Sequence, residues 1–74
     1  INNLFKEIPK QDFHKYGYIT SSDWGTNTIH DLDVEKRYYC CVTDKNRFGR
    51  KVKLLFEVDL DLNIWLEIGE LIKK

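Results

Sequence analysis

The most constraining feature of the sequence is the alternation of apolar and charged residues in the segment KVKLLFEVDL, at positions 51–60. Apolar side chains occupy every second position from Val52 to Leu60, and charged residues fill most of the positions between them. This period of two is typical of a β-strand with one face against a core. The segments on both sides have the same period, so we predict that they pair with this strand.

The predicted sheet is an antiparallel meander over residues 34–69, with strands at 34–43, 50–60 and 63–69. The connection DKNRFGR contains Asn46 and Gly49, which tolerate positive φ angles and suit a hairpin loop of four or five residues. A helix over residues 62–72 is the alternative for the last strand. It would place Gly69 in a helix interior, at a cost of about 1 kcal/mol relative to alanine. The sequence therefore favours the strand.

One register keeps the apolar residues of the three strands together, and a slip by one residue would separate them. It places Val42 opposite Val52, and Cys40, Tyr38 and Val34 opposite Leu54, Phe56 and Leu60. In the second hairpin it places Val58, Phe56 and Leu54 opposite Ile64, Leu66 and Ile68. These residues form the predicted core face. The opposite face then carries Tyr39, Leu55 and Trp65 among its charged residues.

The amino-terminal part is predicted to be helical over about residues 2–16, broken or kinked near Pro9, which disfavours helical geometry in the residue before it. The variable segment 17–33 suits either a short hairpin or an ordered loop. The predicted fold is therefore α+β, a single domain over 1–74 with the helical segment packed on the meander. A small, partly open barrel of five strands is its main variant.

Charge and cysteine content narrow the class of protein. The 74 residues include 12 basic and 12 acidic ones, so no overall field favours nucleic acid or membrane. No apolar run approaches the roughly 20 residues that cross a bilayer, and we expect no membrane partner. Adjacent residues of a strand point to opposite faces, so Cys40 and Cys41 are predicted to be reduced, as in a cytoplasmic protein. The first residue is Ile1, and the sequence leaves open whether longer protein surrounds it.

No catalytic or cofactor-binding motif is present, and we predict neither enzyme activity nor a cofactor. A nucleophilic Cys–His pair or a zinc site could use only His14, His30, Cys40 and Cys41. Adjacent cysteines do not match the usual spacing of zinc ligands, which disfavours the metal site. The carboxylates Glu57, Asp59 and Asp61 could contribute to a cation site, but they fit solubility and edge protection better.

Two surfaces are candidates for binding. Tyr39, Leu55 and Trp65 on one sheet face, together with Trp24, would form a contact patch for another protein; covering by the amino-terminal part is the competing interpretation. The hairpin tip is the second surface. Residues 44–53 carry five basic residues against one acidic, a net charge of +4, whereas 54–70 carry five acidic and no basic residues, a net charge of −5. The tip residues are Lys45, Arg47, Phe48, Arg50, Lys51 and Lys53.

The leading functional hypothesis is a non-enzymatic module that acts by protein–protein contact, for example as a regulator or inhibitor of a larger partner. A nucleic-acid-binding accessory domain that uses the basic tip is the alternative, because phosphates attract its charge and a base can stack on Phe48. An enzyme or metal protein built on the histidines and cysteines ranks third. The sequence also leaves a homodimer open.

Overall fold

The computed structural model describes residues 2–20 and 26–73. In these ranges a short helical segment at the amino terminus precedes a five-stranded antiparallel sheet. Pro9 interrupts the helical segment as predicted, since Ile8 before it is extended at φ −135° and ψ 109°. The chain forms helix α1 (Leu4–Glu7), then a first 3-10 helix (Lys10–Lys15), which ends one residue before the end of the predicted segment.

The five strands are β1 (Tyr16–Ile19), β2 (Thr26–Thr28), β3 (Tyr38–Lys45), β4 (Lys51–Asp59) and β5 (Ile64–Lys73), with a second 3-10 helix at Ile29–Asp31. Their order in the sheet is β2-β1-β5-β4-β3, so β3 and β2 form the edges. The three-strand meander is confirmed, and the short hairpin in the variable segment forms as well. Within the described residues the two edge strands do not pair with each other, so the sheet is open and does not close into a barrel.

Strand boundaries differ from the prediction mainly at the start of β3. Residues 34–37 form a turn, in which the N–H of Arg37 donates to the carbonyl of Asp33 at 2.9 Å. Lys36 had interrupted the apolar alternation there, and that break marks the turn. At the other end β5 continues to Lys73, so the strand interpretation of residues 62–72 is confirmed and the helical one is wrong.

The predicted register is wrong in both hairpins. The first is shifted by two residues, so that Val42 lies opposite Leu54 and Asp44 lies opposite Val52. A shift by two preserves which residues share a face. The second is shifted by one residue, which places Val58 opposite Trp65. A bulge at Ile68 then adds a further shift of one residue, so that Leu55 lies opposite Gly69.

The core lies on the face opposite to the one predicted. Leu55 and Tyr39 are buried at 0% and 4% exposure beneath side chains from the helical segments. The cluster that covers them consists of Leu4 and Ile8 of the α1 region, Phe13 of the first 3-10 helix and Ile29 of the second. Phe5 extends this layer by stacking on Phe13, with ring centroids 6.1 Å apart.

Charged residues at the margins of the core face are paired with residues outside the sheet centre. Lys53 Nζ forms an ion pair with Glu7 of α1, and Arg37 Nη1 lies 2.6 Å from Glu57 Oε1. The odd-numbered positions of β4 are mostly charged. Because Lys53 and Glu57 are paired in this way, Leu55 can lie between them in the core.

Gly69 allows the chain to pass closely over the core face of β5. A Cβ atom at this position would lie 2.4 Å from the carbonyl oxygen of Ile19 and 2.9 Å from its carbonyl carbon. Both are backbone atoms, which cannot move aside as a flexible side chain can. The absence of a side chain at Gly69 therefore permits the close approach of β1 to β5.

Candidate functional site

The most apolar exposed surface lies on the sheet face that the helical segments leave uncovered, here called the open face. Residues directly opposite each other in a sheet share a face, so the register identifies its members. They are Ile19 of β1; Tyr38, Cys40 and Val42 of β3; Leu54, Phe56 and Val58 of β4; and Trp65, Glu67 and Glu70 of β5, and of these Cys40 and Val58 are buried. Most of these positions belong to the core face predicted from the sequence.

Phe56 and Trp65 form an aromatic pair on this face. Their ring centroids are 5.6 Å apart and the rings meet edge to face at 67°. The one-residue shift of the second hairpin brings them together, because it places Trp65 opposite Val58 and diagonal to Phe56. Trp65 remains 49% exposed, so much of its indole faces solvent despite the contact with Phe56.

A run of exposed apolar side chains continues from Trp65 around the β4–β5 turn. We call this set the apolar end; it consists of Leu60, Leu62, Ile64, Trp65 and Leu66. The four aliphatic members are between 55% and 67% exposed. Because Ile64 and Leu66 alternate with Trp65 along β5, they point to the other side of the sheet. The apolar end therefore presents side chains on both faces.

The turn that carries the apolar end is internally ordered. Asp59 Oδ1 accepts the N–H groups of Asp61 and Leu62, each at 3.1 Å. Asn63 adopts a positive φ of 52°, a conformation that asparagine tolerates better than most residues. This geometry fixes a short loop and sets Asp59 opposite Ile64. The exposure of the leucines is thus a property of a defined turn.

The predicted protein-contact patch is only partly at the surface. Tyr39 and Leu55 are buried in the core, so the expectation that they form an exposed patch is wrong. The cause is the reversal of the two faces: the helical segments cover the side that carries Leu55. Trp65 is exposed, but it lies on the opposite face from the other two. Trp24 lies outside the described residues.

Asn46 organises the tip of the β3–β4 hairpin. Its Oδ1 accepts the N–H groups of Phe48 and Arg50 at 3.0 Å, and its N–H donates to the carbonyl of Arg50. Gly49 completes the loop at a φ of +78°. Phe48 is 80% exposed at this tip, and the guanidinium carbon of Arg47 lies 5.2 Å from the centre of its ring. The tip therefore presents a cation–π pair to solvent.

The six predicted nucleic-acid-binding residues are divided between two sides of the hairpin. Lys45, Arg47 and Phe48 line a groove of about 350 Å³ on the open face, together with Glu67 and Glu70. The remaining three, Arg50, Lys51 and Lys53, line a separate depression that also includes Glu7.

Glu7 also forms an ion pair with one of those three cations, Lys53. Its carboxylate accepts a hydrogen bond from Lys53 Nζ, and this bond raises the pKa of Lys53. The basic side chains are divided between two sides of the hairpin and lie near carboxylates. The tip is therefore a weaker anion site than its net charge suggests.

The side chains considered for metal or nucleophilic chemistry are placed on different elements. His14 and His30 are exposed in the two 3-10 helices, whereas Cys40 is buried in β3. Burial, with a contribution from the charge of Glu7, raises the pKa of the Cys41 thiol to about 11. Such a thiol is protonated at neutral pH and is a poor nucleophile. Within the described ranges no three His, Cys, Asp or Glu side chains are grouped as metal ligands.

The half-buried Phe56 and the aliphatic members of the apolar end were not predicted as surface residues. In the predicted register Leu60 is paired with Val34, and Leu66 belongs to the core. The available signal was the composition of the turn DLDLN, where two leucines alternate with aspartates in a segment too short to bury them. None of the helices in the described residues is long and apolar enough to span a membrane. Comparisons with protein-family models, with curated proteins and with solved structures give no match to this chain.

Proposed function

We propose that this chain is a non-enzymatic binding module that docks on another protein through its apolar end. The observation that supports the proposal is the exposure of Leu60, Leu62, Ile64, Trp65 and Leu66, which are consecutive or nearly so along one hairpin. Among the described residues eight large apolar side chains are exposed, as many as the eight hydrophobic residues that are buried. Contiguous exposed apolar surface of this kind marks interaction sites.

The shape of the apolar end favours a cleft over a flat surface as its receptor. Trp65 projects from the open face, while Ile64 and Leu66 project from the other. A hairpin end that is apolar on both sides loses most water contact when it is inserted between two walls. Insertion into a cleft of a larger protein would also block that cleft, which is how such a module would regulate or inhibit its partner.

Charge around the apolar end indicates the character of the receptor's rim. Asp59 and Asp61 flank Leu60 in the turn, and Glu67 follows Leu66 in β5. Among the described residues, the basic ones beside the depression of about 620 Å³ at this end are Lys36 and Arg37, and Arg37 is paired with Glu57. We therefore propose a cleft with apolar walls and a basic rim, since complementary charge favours association and correct orientation.

Site-specific photo-cross-linking tests this proposal. A benzophenone amino acid is incorporated at Trp65 in one variant and at Lys51 in a control, because Lys51 is exposed at the start of β4, at the opposite end of that strand from the β4–β5 turn. In extract of the native host we expect a discrete cross-linked product from position 65 and none from position 51. Excess unmodified protein should compete for the product, and excess Leu66→Ser protein should compete poorly.

Two results would contradict docking through the apolar end. Equal cross-linking from both positions would indicate non-specific contact. Equal competition by the wild-type and Leu66→Ser proteins, with both shown to be folded by near-ultraviolet circular dichroism, would mean that the partner does not use this surface.

A nucleic-acid-binding accessory domain is the second candidate, and it is favoured by the exposure of Phe48 beside Arg47 at the hairpin tip. Base–aromatic stacking contributes about 1–3 kcal/mol per base, and basic groups contribute a salt-dependent term. We propose to measure fluorescence anisotropy of single-stranded oligonucleotides at several salt concentrations. This candidate requires binding that weakens steeply with salt and that is lost in both Phe48→Ala and the double variant Arg50→Glu, Lys51→Glu. Absent or salt-independent binding would exclude it.

A further inference from the structure

The outer edge of β3 carries backbone groups that the sheet does not use. Within the described residues β3 pairs only with β4, so its other side is an edge. In an antiparallel strand, alternate residues direct both the N–H and the C=O to the same side. The N–H of Tyr39 points outward, since it donates to the Oδ1 of Asn2 at 3.0 Å. The backbone N–H and C=O groups of Cys41, Thr43 and Lys45 therefore point to the same outer side.

Both ends of this edge are capped by side chains. At the beginning, the Asn2 amide takes the place of a neighbouring strand: it accepts from Tyr39 and donates its Nδ2–H to the carbonyl of Arg37 at 2.8 Å. At the end, the N–H of Lys45 donates to Asp44 Oδ1 at 2.7 Å. These caps prevent extended pairing along the whole strand.

A short window remains between the caps. The outward N–H and C=O groups of Cys41 and Thr43 make no hydrogen bond with any described residue. Val42 lies between them and is 38% exposed on the open face. The capped residues Tyr39 and Lys45 are each three positions from Val42, so the window is symmetric about it.

We propose that a second copy of this chain pairs with this window in an antiparallel arrangement with its two-fold axis at Val42. Cys41 of each copy would then lie opposite Thr43 of the other, and the pair would exchange two N–H···O=C bonds on each side of the axis. All four outward N–H groups and their carbonyls would be satisfied, and the two Val42 side chains would meet. The window is too short for a long added strand, whereas a second copy satisfies the free groups of both molecules at once.

The dimer would extend the sheet to two copies side by side. With the axis perpendicular to the sheet, both open faces lie on the same side, so the two Phe56–Trp65 pairs would face in one direction. The apolar ends are not part of this contact, and the inference is independent of the proposed docking function. A contact of three residues per chain is small, so the association would be weak and reversible.

Sedimentation equilibrium of the full chain, from the micromolar to the millimolar range, tests the proposal. Wild-type protein should show a monomer–dimer equilibrium. Thr43→Pro removes only an outward N–H, and proline is tolerated at such edge positions. It should weaken dimerisation by about thirtyfold or more, because each copy loses one hydrogen bond. Thr43→Val keeps the N–H and should dimerise like the wild type.

Hydrogen exchange gives a readout at single residues. The amides of Cys41 and Thr43 should exchange rapidly in dilute solution and become protected at high concentration. The amide of Tyr39 should be protected at both concentrations by Asn2.

A second pair of variants covers the case in which the proline variant does not fold. Val42→Asp would place two carboxylates against each other at the axis and should also abolish the dimer. Leu66→Asp, on the apolar end, should leave it intact. A protein that is monomeric throughout the concentration range would overturn the proposal. So would a dimer that survives Val42→Asp, or one that Leu66→Asp dissociates, since that dimer would form through the apolar end.

Discussion

Replacing Asn2 with alanine tests how the amino-terminal segment is attached to the sheet. The side chain is 6% exposed and makes three hydrogen bonds at once. Its Oδ1 accepts the N–H groups of Leu4 and Tyr39, both at 3.0 Å, and its Nδ2 donates to the carbonyl of Arg37 at 2.8 Å. Alanine would leave two backbone N–H groups in the core region without partners.

The expected loss follows from these bonds. A hydrogen bond contributes about 1 kcal/mol to stability, and an unsatisfied buried donor costs about 1–3 kcal/mol. The carbonyl of Arg37 belongs to an exposed residue and can bond to water, so the two N–H groups account for most of the loss. We therefore expect Asn2→Ala to lower the free energy of unfolding by about 3 kcal/mol. For a domain of this size, that corresponds to a decrease in Tm of more than about 10 °C.

Urea denaturation, followed by circular dichroism, measures this change. Asn3→Ala is the matched control, because the Asn3 side chain is exposed and, among the described residues, makes one long contact, of 3.6 Å to Cys40 Sγ. Its free energy of unfolding should stay within about 0.5 kcal/mol of the wild type. If Asn2→Ala is no more destabilising than Asn3→Ala, then the Asn2 amide does not join the amino terminus to the β3 edge, and the reasoning is refuted.

Four further outcomes are expected. Leu55→Ala should cost about 2–5 kcal/mol of unfolding free energy because Leu55 is fully buried, whereas Leu66→Ala should cost less than about 1 kcal/mol; similar costs in thermal denaturation would contradict the face assignment. Gly69→Ala should destabilise by about 1–3 kcal/mol, since its Cβ would lie 2.4 Å from the carbonyl oxygen of Ile19, and an unchanged urea midpoint would refute that close approach. The Cys41 thiol, in a Cys40→Ser background, should react with iodoacetamide at a rate that rises until the pH approaches its pKa of about 11; a plateau near pH 9 would show an ordinary thiol. The same raised pKa means that the unfolded thiol ionises first, so stability should fall as the pH rises from 9 towards about 11.

The meander could be predicted from the sequence because its signal is local. The alternation around Leu54 and Phe56 identified β4, and Asn46 with Gly49 located the first hairpin loop. Gly69 argued correctly against a helix at the end of the chain. Each of these inferences depends on residues within one strand or one turn, where side-chain periodicity and backbone preference act directly.

The register and the choice of core face could not be predicted in the same way. The register depends on where each turn closes, and here the side chains of Asn46 and Asp59 accept backbone N–H groups of their loops and so help to fix that position. The sequence indicates which residues share a face, but not which face the remaining chain covers. The face that carries the odd-numbered residues of β4 looked polar in the sequence because of Lys53 and Glu57. Their ion-pair partners, Glu7 and Arg37, come from outside the central strand.

The candidate surface was only partly predictable for the same reason. Trp65 was identified as a surface residue, but its expected companion Leu55 belongs to the core, and its true neighbour is Phe56. The tip around Phe48 was located correctly as an exposed basic loop, since a hairpin tip has little tertiary contact. The pairing of Lys53 with Glu7 joins residues that are 46 positions apart, and no local pattern in the sequence reveals it.

The central claim is that the chain buries one face of its sheet and leaves the apolar end exposed to solvent. Solvent paramagnetic relaxation of the methyl groups by NMR tests it most directly, with a soluble gadolinium chelate as the probe. We predict strong broadening of the methyl signals of Leu60, Leu62 and Leu66, and none for Leu4 and Leu55. Strong broadening of Leu55 together with protection of Leu66 would show that the opposite face is the core and would contradict the account.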